Sequence, residues 1–223
     1  MVNGCIRKIN ILKKSSPSLQ KNEGLFLYLC EINAIVLDNL FQFFNTQFPF
    51  NTEGLERFIA SFETKNYKKG TVILKENQID DELRFLDKGK IREYYANADK
   101  EMNISFYTQP EFVSDFTSLL SNQPTKKFQE CLSDVQMRTL KKEYFTNFLE
   151  KYPCGKSFID TIFQKIIDSK EQEAYKHFNL SPEELYQDLL QNRKDWLQEI
   201  PLYHIASYLR ISPETLSRIR KRI

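Results

Sequence analysis

The residues best placed for chemistry stand at the C-terminus. Ser212, Glu214, Thr215, Ser217, Arg218, Arg220, Lys221 and Arg222 fall within eleven consecutive positions, 212–222. Ser212 is a helix N-cap by type, and Pro213 suits a first helical turn. A helix over 213–222 places Pro213, Glu214, Ser217, Arg218 and Lys221 on one outer face, with Thr215 and Arg222 flanking it. Arginine can bond guanine O6 and N7 with two donors at once, and hydroxyls reach phosphates or base edges. Arg218 is therefore the expected base reader. Arg220, Lys221 and Arg222 are expected mainly to position phosphates.

Such a helix needs a partner to hold it. Residues 202–209 read as a second short helix, joined through Arg210-Ile211-Ser212. Ile205, Leu209, Ile211, Leu216 and Ile219 fall where the two would pack, and Ala206 allows close approach. This is the spacing of a helix-turn-helix. Arg210 stands where such turns often place glycine, so a slightly different turn is expected there. Upstream, Ser181-Pro182-Glu183-Glu184 is a capping box opening a helix to about Arg193. Residues 155–178 carry Phe158, Ile159, Ile162, Phe163, Ile166, Ile167, Ala174 and Phe178 at helical spacing. The first six are the expected dimerisation stripe; the alternative is burial against the chain's own β-domain. Residues 141–152 read as an amphipathic helix stopped at Pro153.

Ahead of the helices the texture is that of strands. Residues 67–78, 83–109, 126–132 and 134–140 hold short apolar or alternating runs. Asp87-Lys88-Gly89-Lys90, Asn97-Ala98-Asp99-Lys100 and Ser133-Asp134 separate them with turn chemistry. About six antiparallel strands in a small roll are expected. Residues 53–62 read as a short amphipathic lead helix. Residues 24–44 are the most apolar stretch, but Glu31, Asn33, Asp38 and Asn39 interrupt it. It is expected to be a helix packed on protein, and no membrane partner is expected. Residues 1–23 read as poorly ordered.

Composition narrows the function further. The 223 residues carry 32 basic and 30 acidic side chains, a net charge of +2. That sum hides a gradient. Residues 201–223 hold five basic side chains against Glu214 alone, whereas residues 51–200 are net acidic. A basic tip on an acidic body suits an anionic partner at the tip, here double-stranded DNA. Cys5, Cys30, Cys131 and Cys154 form no CxxC pair, and His177 and His204 stand apart. Zinc and disulfide frameworks are thereby excluded, and no metal or other cofactor is expected. With only six glycines, no phosphate loop and no G-x-S-x-G, the chain is not expected to be an enzyme. A reducing, cytoplasmic location fits the cysteines.

The order of parts resembles the Crp/Fnr family of bacterial transcription regulators. The resemblance covers about residues 50–223. It is carried by YKKGTVILKEN (67–77), LRFLDKGKIREYY (83–95), PEFVSD (110–115) and IASYLRISPETLSRIRK (205–221). It implies an α+β fold in four parts. Residues 1–50 are an N-terminal extension containing the apolar helix. Residues 51–152 are an antiparallel β-roll, a cyclic-nucleotide-binding-like jelly roll of effector type. Residues 153–179 are a long dimerisation helix. Residues 180–223 are a winged-helix-like helix-turn-helix domain, with little or no wing after the recognition helix. The family's base-reading Arg-Glu-Thr…Arg falls on Pro213, Glu214, Thr215 and Arg218, so the first Arg is missing and a shifted site preference is implied. The family's phosphate cassette, a Gly-Glu pair and an Arg-Ser about ten residues on, falls on Ser114-Asp115 and Thr125-Lys126. Glu111, Ser114, Asp115, Thr125, Lys126 and Lys127 are thus the candidate effector residues. With Gly and Arg both replaced, cyclic AMP is not the expected ligand. Cys5 and Cys30 do not repeat the family's iron–sulfur spacing, and no histidine lies between residues 50 and 150 to bind haem. The implied protein is a homodimeric, sequence-specific DNA-binding regulator. The alternative is a small-molecule-sensing roll, for an anionic metabolite or a cyclic nucleotide, with DNA binding secondary.

Overall fold

The computed structural model describes residues 38–47, 55–151 and 153–223. The expected disorder of residues 1–23 and most of the apolar 24–44 stretch lie outside them. Helix α1 (Asn39–Gln47) begins where Asp38 accepts a hydrogen bond from Phe41 N at 3.0 Å. That cap explains why the helix starts within the apolar run: a carboxylate satisfies an orphan amide of the first turn. Helix α2 (Leu55–Ala60) is the lead helix; of the expected 53–62, Ser61 and Phe62 lie past its end and residues 53 and 54 lie outside the described residues.

Eight strands follow, where about six were expected: β1 (Glu63–Tyr67), β2 (Val72–Leu74), β3 (Glu82–Lys88), β4 (Ile91–Ala96), β5 (Glu101–Tyr107), β6 (Glu111–Phe112), β7 (Phe128–Cys131) and β8 (Val135–Lys141). Helix α3 (Phe116–Ser121) lies between β6 and β7. The strands form two four-stranded sheets, ordered β1-β8-β3-β6 and β2-β7-β4-β5, with every described pair antiparallel. Two of the connections between the sheets, β3–β4 and β7–β8, are tight corners that meet. At one, Gly89 has φ 109°, and a Cβ there would lie 2.6 Å from the Asp134 carbonyl. At the other, Ser133 Oγ accepts from Lys90 N at 3.0 Å, so the corners brace each other. The β4–β5 hairpin turns on Asn97, whose side chain accepts from Asp99 N and Lys100 N.

Leu86, Ile91, Val113, Cys131, Val135 and Met137 fill one core of the roll. A larger aromatic core joins α1, α2 and α3 to the strands and to helix α4 (Lys142–Lys151). There Phe58 stacks on Phe148 at 3.9 Å, and Phe43 meets Phe85 and Phe112 edge-on. Arg138 fastens α1 to the sheet through Asp38 and Asp87, at 2.7 and 2.8 Å. The helix assigned to an N-terminal extension is thus packed on the roll.

Helix α5 (Pro153–Asn179) runs 27 residues. Four helices complete the chain: α6 (Pro182–Asn192), α7 (Lys194–Glu199), α8 (Leu202–Tyr208) and α9 (Pro213–Arg222). Residues 180–223 contain no strand. The Ser181–Glu184 capping box forms with both of its hydrogen bonds.

Candidate nucleic-acid interface and effector pocket

Helices α8 and α9 are joined by the turn the sequence spacing implies. Arg210 N donates to Ser207 O and Ile211 N to Ala206 O, at 3.1 and 3.0 Å. This bond pair is a Schellman motif, which needs a left-handed residue after the C-cap. Arg210 supplies it at φ 60°. The expected deviation of the turn is not found; arginine adopts the conformation at a cost on the order of 1–2 kcal/mol. Ser212 caps α9 by accepting from Thr215 N at 3.2 Å. Leu216 and Ile219 are buried with Ile205, Ala206 and Leu209, and Ile211 packs beside them. Ser212, Glu214, Ser217, Arg218, Arg220, Lys221 and Arg222 are exposed, and Thr215 is half-buried. The cap lowers the Glu214 carboxyl, through its own amide, Ser212 and then Arg218. Arg222 lies 3.4 Å from Glu183, an exposed and weak pair. The remaining basic groups on α9 have no ion pair among the described residues.

The helix-turn-helix is docked on the chain's own roll. Phe106 of β5 belongs to the same core as Trp196 and Ile205, and meets the Trp196 ring edge-on at 4.9 Å. Asn103 N donates to Ser207 Oγ at 3.1 Å, and Thr108 Oγ1 donates to Asp195 at 2.5 Å. Arg193 lies over the Trp196 ring at 3.7 Å. Asn103 Oδ1 and Trp196 Nε1 are both buried at this junction without a hydrogen-bond partner. Two unpaired polar atoms make the contact cheaper to open than its apolar area implies. Burial lowers His204 to a pKa of about 4, with Arg92 adding to the shift and Glu101 opposing it.

Of the candidate effector residues, Glu111, Ser114, Asp115 and Lys127 line a cavity of about 570 Å³ between the roll, α5 and the helix-turn-helix turn. Thr125 is buried beneath it and donates to Asp115 at 2.7 Å, while Lys126 is exposed. Ser114 is engaged by the roll, accepting from Arg84 N and donating to Glu82 O. Lys127 lies 3.1 Å from Glu93 and 3.7 Å from Asp115. Beneath them Arg84 pairs with Asp80 at 2.6 Å, and Gln129 bridges Arg84 to Glu93. Sequence reasoning missed Glu93, Glu173, Lys170 and Arg210, which also line the cavity. Only the odd turn residue hinted at one of them, Arg210. Among the described residues no cluster of histidine, cysteine or carboxylates is arranged to hold a metal ion.

Of the expected dimerisation stripe, the Phe158 and Ile162 side chains lie outside the described residues. Ile159 and Ile166 pack half-buried on the aromatic core. Phe163 is half-buried, and Ile167 is 56% exposed. Farther along α5, Phe178 is 88% exposed. Helix α5 thus has one side on the roll and another uncovered.

Residues 64–152 match the family model described as a cyclic nucleotide-binding domain. The chain also superposes on solved Crp/Fnr-type structures. A CooA double mutant from Carboxydothermus hydrogenoformans gives a TM-score of 0.63 at 16% identity, over 83% of this chain and 84% of that one. FixK2 from Bradyrhizobium japonicum gives 0.63 at 15%, over 72% and 83%. A Crp/Fnr-family protein from Eubacterium rectale gives 0.63 at 13%, over 83% and 87%. This is the Crp/Fnr fold. The β-roll is its cyclic-nucleotide-binding-like part, and α5 leads from it to the C-terminal helices. No curated protein sequence matches the chain. Within the Crp/Fnr fold the cavity lies between roll and α5, with the cassette positions Ser114-Asp115 at its base. Among the described residues no helix is long and apolar enough to cross a membrane.

Proposed function

We propose that the chain is a cytoplasmic transcription regulator that binds double-stranded DNA sequence-specifically as a homodimer, with α9 as recognition helix. The observation that carries this reading is the division of α9 into two faces. Leu216 and Ile219 anchor it, while Glu214, Ser217, Arg218 and Lys221 stand exposed together. Such a helix fits the major groove, with Arg218 at a base and its neighbours at phosphates. The uncovered side of α5, with Ile167 and Phe178, supports pairing of two copies. Two recognition helices would then enter successive grooves about 34 Å apart.

The roll has a cavity but not a cyclic AMP cassette. Ser114 and Asp115 are engaged by internal partners, and the cation beside them, Lys127, is held by Glu93 and Asp115. This supports an effector other than cyclic AMP, and it keeps a second reading in view, a sensing roll with DNA binding secondary.

Selection of bound duplexes from a random pool, together with solution mass, tests the proposal. A palindromic consensus bound by a dimer is the expected result. A monomer, or binding without a consensus, would overturn it. A selective ligand with no enriched sequence would favour the sensing-roll reading.

A further inference from the structure

We infer that the cavity is polarised, with its anion-binding end at the helix-turn-helix turn, where Arg210 and Lys170 take the acidic group of a small ligand whose other end carries hydroxyl or amine donors. The inference rests on the reading of the roll as an effector domain, and it assigns the ligand's chemical class and orientation.

The floor of the cavity rejects anions. Glu93 accepts from Gln129 at 2.8 Å, from Tyr107 at 3.3 Å and from Lys127 at 3.1 Å. Asp115 accepts from Thr125 at 2.7 Å and also faces Lys127. Lys127, 15% exposed, is one ammonium between two carboxylates. The trio therefore carries net negative charge and offers acceptors, which suit hydroxyl or amine donors rather than phosphate.

The mouth has the opposite character. Arg210 lines it from the turn, and Lys170, Glu173 and His177 line it from α5. Among the described residues the Arg210 guanidinium makes no hydrogen bond or ion pair, and Lys170 makes none. Two free cations against one carboxylate leave the mouth positive. The Arg210 charge reaches its neighbours: burial and then Arg210 lower the His177 imidazole. Burial raises the Glu173 carboxyl, against the pull of Lys170 and Arg210, with smaller and opposed effects of Glu93 and Lys127 from the floor. A glycine would satisfy the left-handed turn without strain. Arginine there gives the turn a planar five-donor cation suited to a carboxylate or phosphate.

The consequence is mechanical. Arg210 is two residues before Ser212, the cap of α9. A ligand held by the roll at one end and by Arg210 at the other would fix the recognition helix directly. It would not have to act through α5 alone.

The chain has only two histidines, His177 at the mouth and His204 at the roll junction, so proton NMR of the full chain can follow one against the other. Inorganic phosphate is titrated at constant ionic strength and at pH 7.5. The expected result is a saturable shift of His177 signals without one at His204. Arg210→Ala should weaken it about tenfold or more, and Arg210→Lys should keep part of it. Ribose 5-phosphate should bind about tenfold tighter than phosphate, and Glu93→Gln or Asp115→Asn should erase that gain. Two variants are used because either carboxylate is buried, and far-ultraviolet dichroism reports whether each folds.

A non-saturating shift, or a saturable one unchanged in Arg210→Ala, would overturn the inference. So would equal affinity for phosphate and ribose 5-phosphate in the folded wild-type chain. Cyclic AMP binding lost in Lys127→Met but kept in Arg210→Ala would overturn it too, while upholding the effector-domain reading. If neither phosphate compound nor cyclic AMP perturbs His177, both fail together.

Discussion

The roll and the helix-turn-helix use charge in opposite ways. In the roll Arg84 and Asp80 pair with side chains 5% and 0% exposed, and Glu82, Asp87, Arg92, Glu93 and Asp115 are also buried. In residues 180–223 His204 is the one buried polar side chain, and the basic groups of α9 are outside. Inward charges must find partners within the chain, because a desolvated ion without one is costly. Outward charges remain available to an external polyanion. The same residue types therefore specify an interior in one region and prepare an interface in the other. The net charge of +2 conceals that division.

The comparison is broken most directly at Arg84. Arg84→Ala leaves Asp80 buried beside Asp115, with desolvation already raising the Asp80 carboxyl against the pull of Arg84. Urea unfolding should show a loss of about 3–5 kcal/mol. Removing both charges with apolar residues of similar volume should recover much of that. A loss below about 1 kcal/mol would mean that the inward charges are not coupled as their geometry implies.

The next largest effect is expected where the two regions meet. Phe106→Ala empties a site shared by β5, Trp196 and Tyr208. A cost of roughly 3 kcal/mol is expected. Trp196 is the only tryptophan in the chain, so its emission reports the junction. A red shift before global unfolding would show the helix-turn-helix leaving the roll first. A single coincident transition would make the two regions one cooperative unit.

Acid sharpens the contrast through two groups at that junction. His204 faces Asn103, Tyr203, Arg92 and Glu101. Its pKa is about 4 in the fold and ordinarily 6.5, so the unfolded chain binds the extra proton. Stability from this group is complete above pH 6.5 and falls as pH drops toward 4. Glu111 faces Arg193 and Asp195, and burial raises it to about 7, with Arg193 opposing and Asp195 adding. Here the folded chain binds the extra proton, so acidification from pH 7 toward 4.5 stabilises. The two slopes oppose, each on the order of 2–3 kcal/mol. Glu111→Gln should raise the urea midpoint at pH 8 and lose that advantage near pH 5. An unchanged difference across that range would remove Glu111 from the account.

Much of this was legible in the sequence, for reasons that differ by element. Strands β3, β4 and β5 have apolar residues and clear turn chemistry between them, and α9 has Ser212 and Pro213 to mark its start. Strand β1 reads Glu-Thr-Lys-Asn-Tyr and lies exposed at a sheet edge, so no hydrophobic alternation announces it. Within 67–78 only Tyr67, the end of β1, and Val72–Leu74 are strand, because Gly70 and Asn77 turn the chain at positive φ. The cavity was half legible: the cassette positions are local in sequence, but Glu93 and Arg210 meet it only through the fold. Arg210 drew notice as an odd turn residue, and its place at the cavity mouth depends on the helix-turn-helix docking against β5.

On the outward face the effects are smaller and concern binding. Arg218→Ala should cost about 1–3 kcal/mol of affinity and relax selection at one position per half-site. Equal loss on all sequences in a competition assay would demote Arg218 to a phosphate contact.

Lys221→Ala is expected to give the smallest effect and a different signature. Lys221 shares the exposed face of α9 with Arg218 but lies one turn nearer the C-terminus. Recognition helices read bases mainly from their N-terminal part, so a cation there reaches backbone rather than base edges. A phosphate contact contributes through counterion release and carries no sequence information. Lys221→Ala should therefore weaken specific and nonspecific duplexes alike, and lower the slope of log affinity against log salt by about 1 per subunit. If the variant instead changed the selected sequence at constant salt slope, α9 would lie deeper in the groove than its exposed face suggests. The division between base-reading and backbone-holding residues would then move toward the chain end.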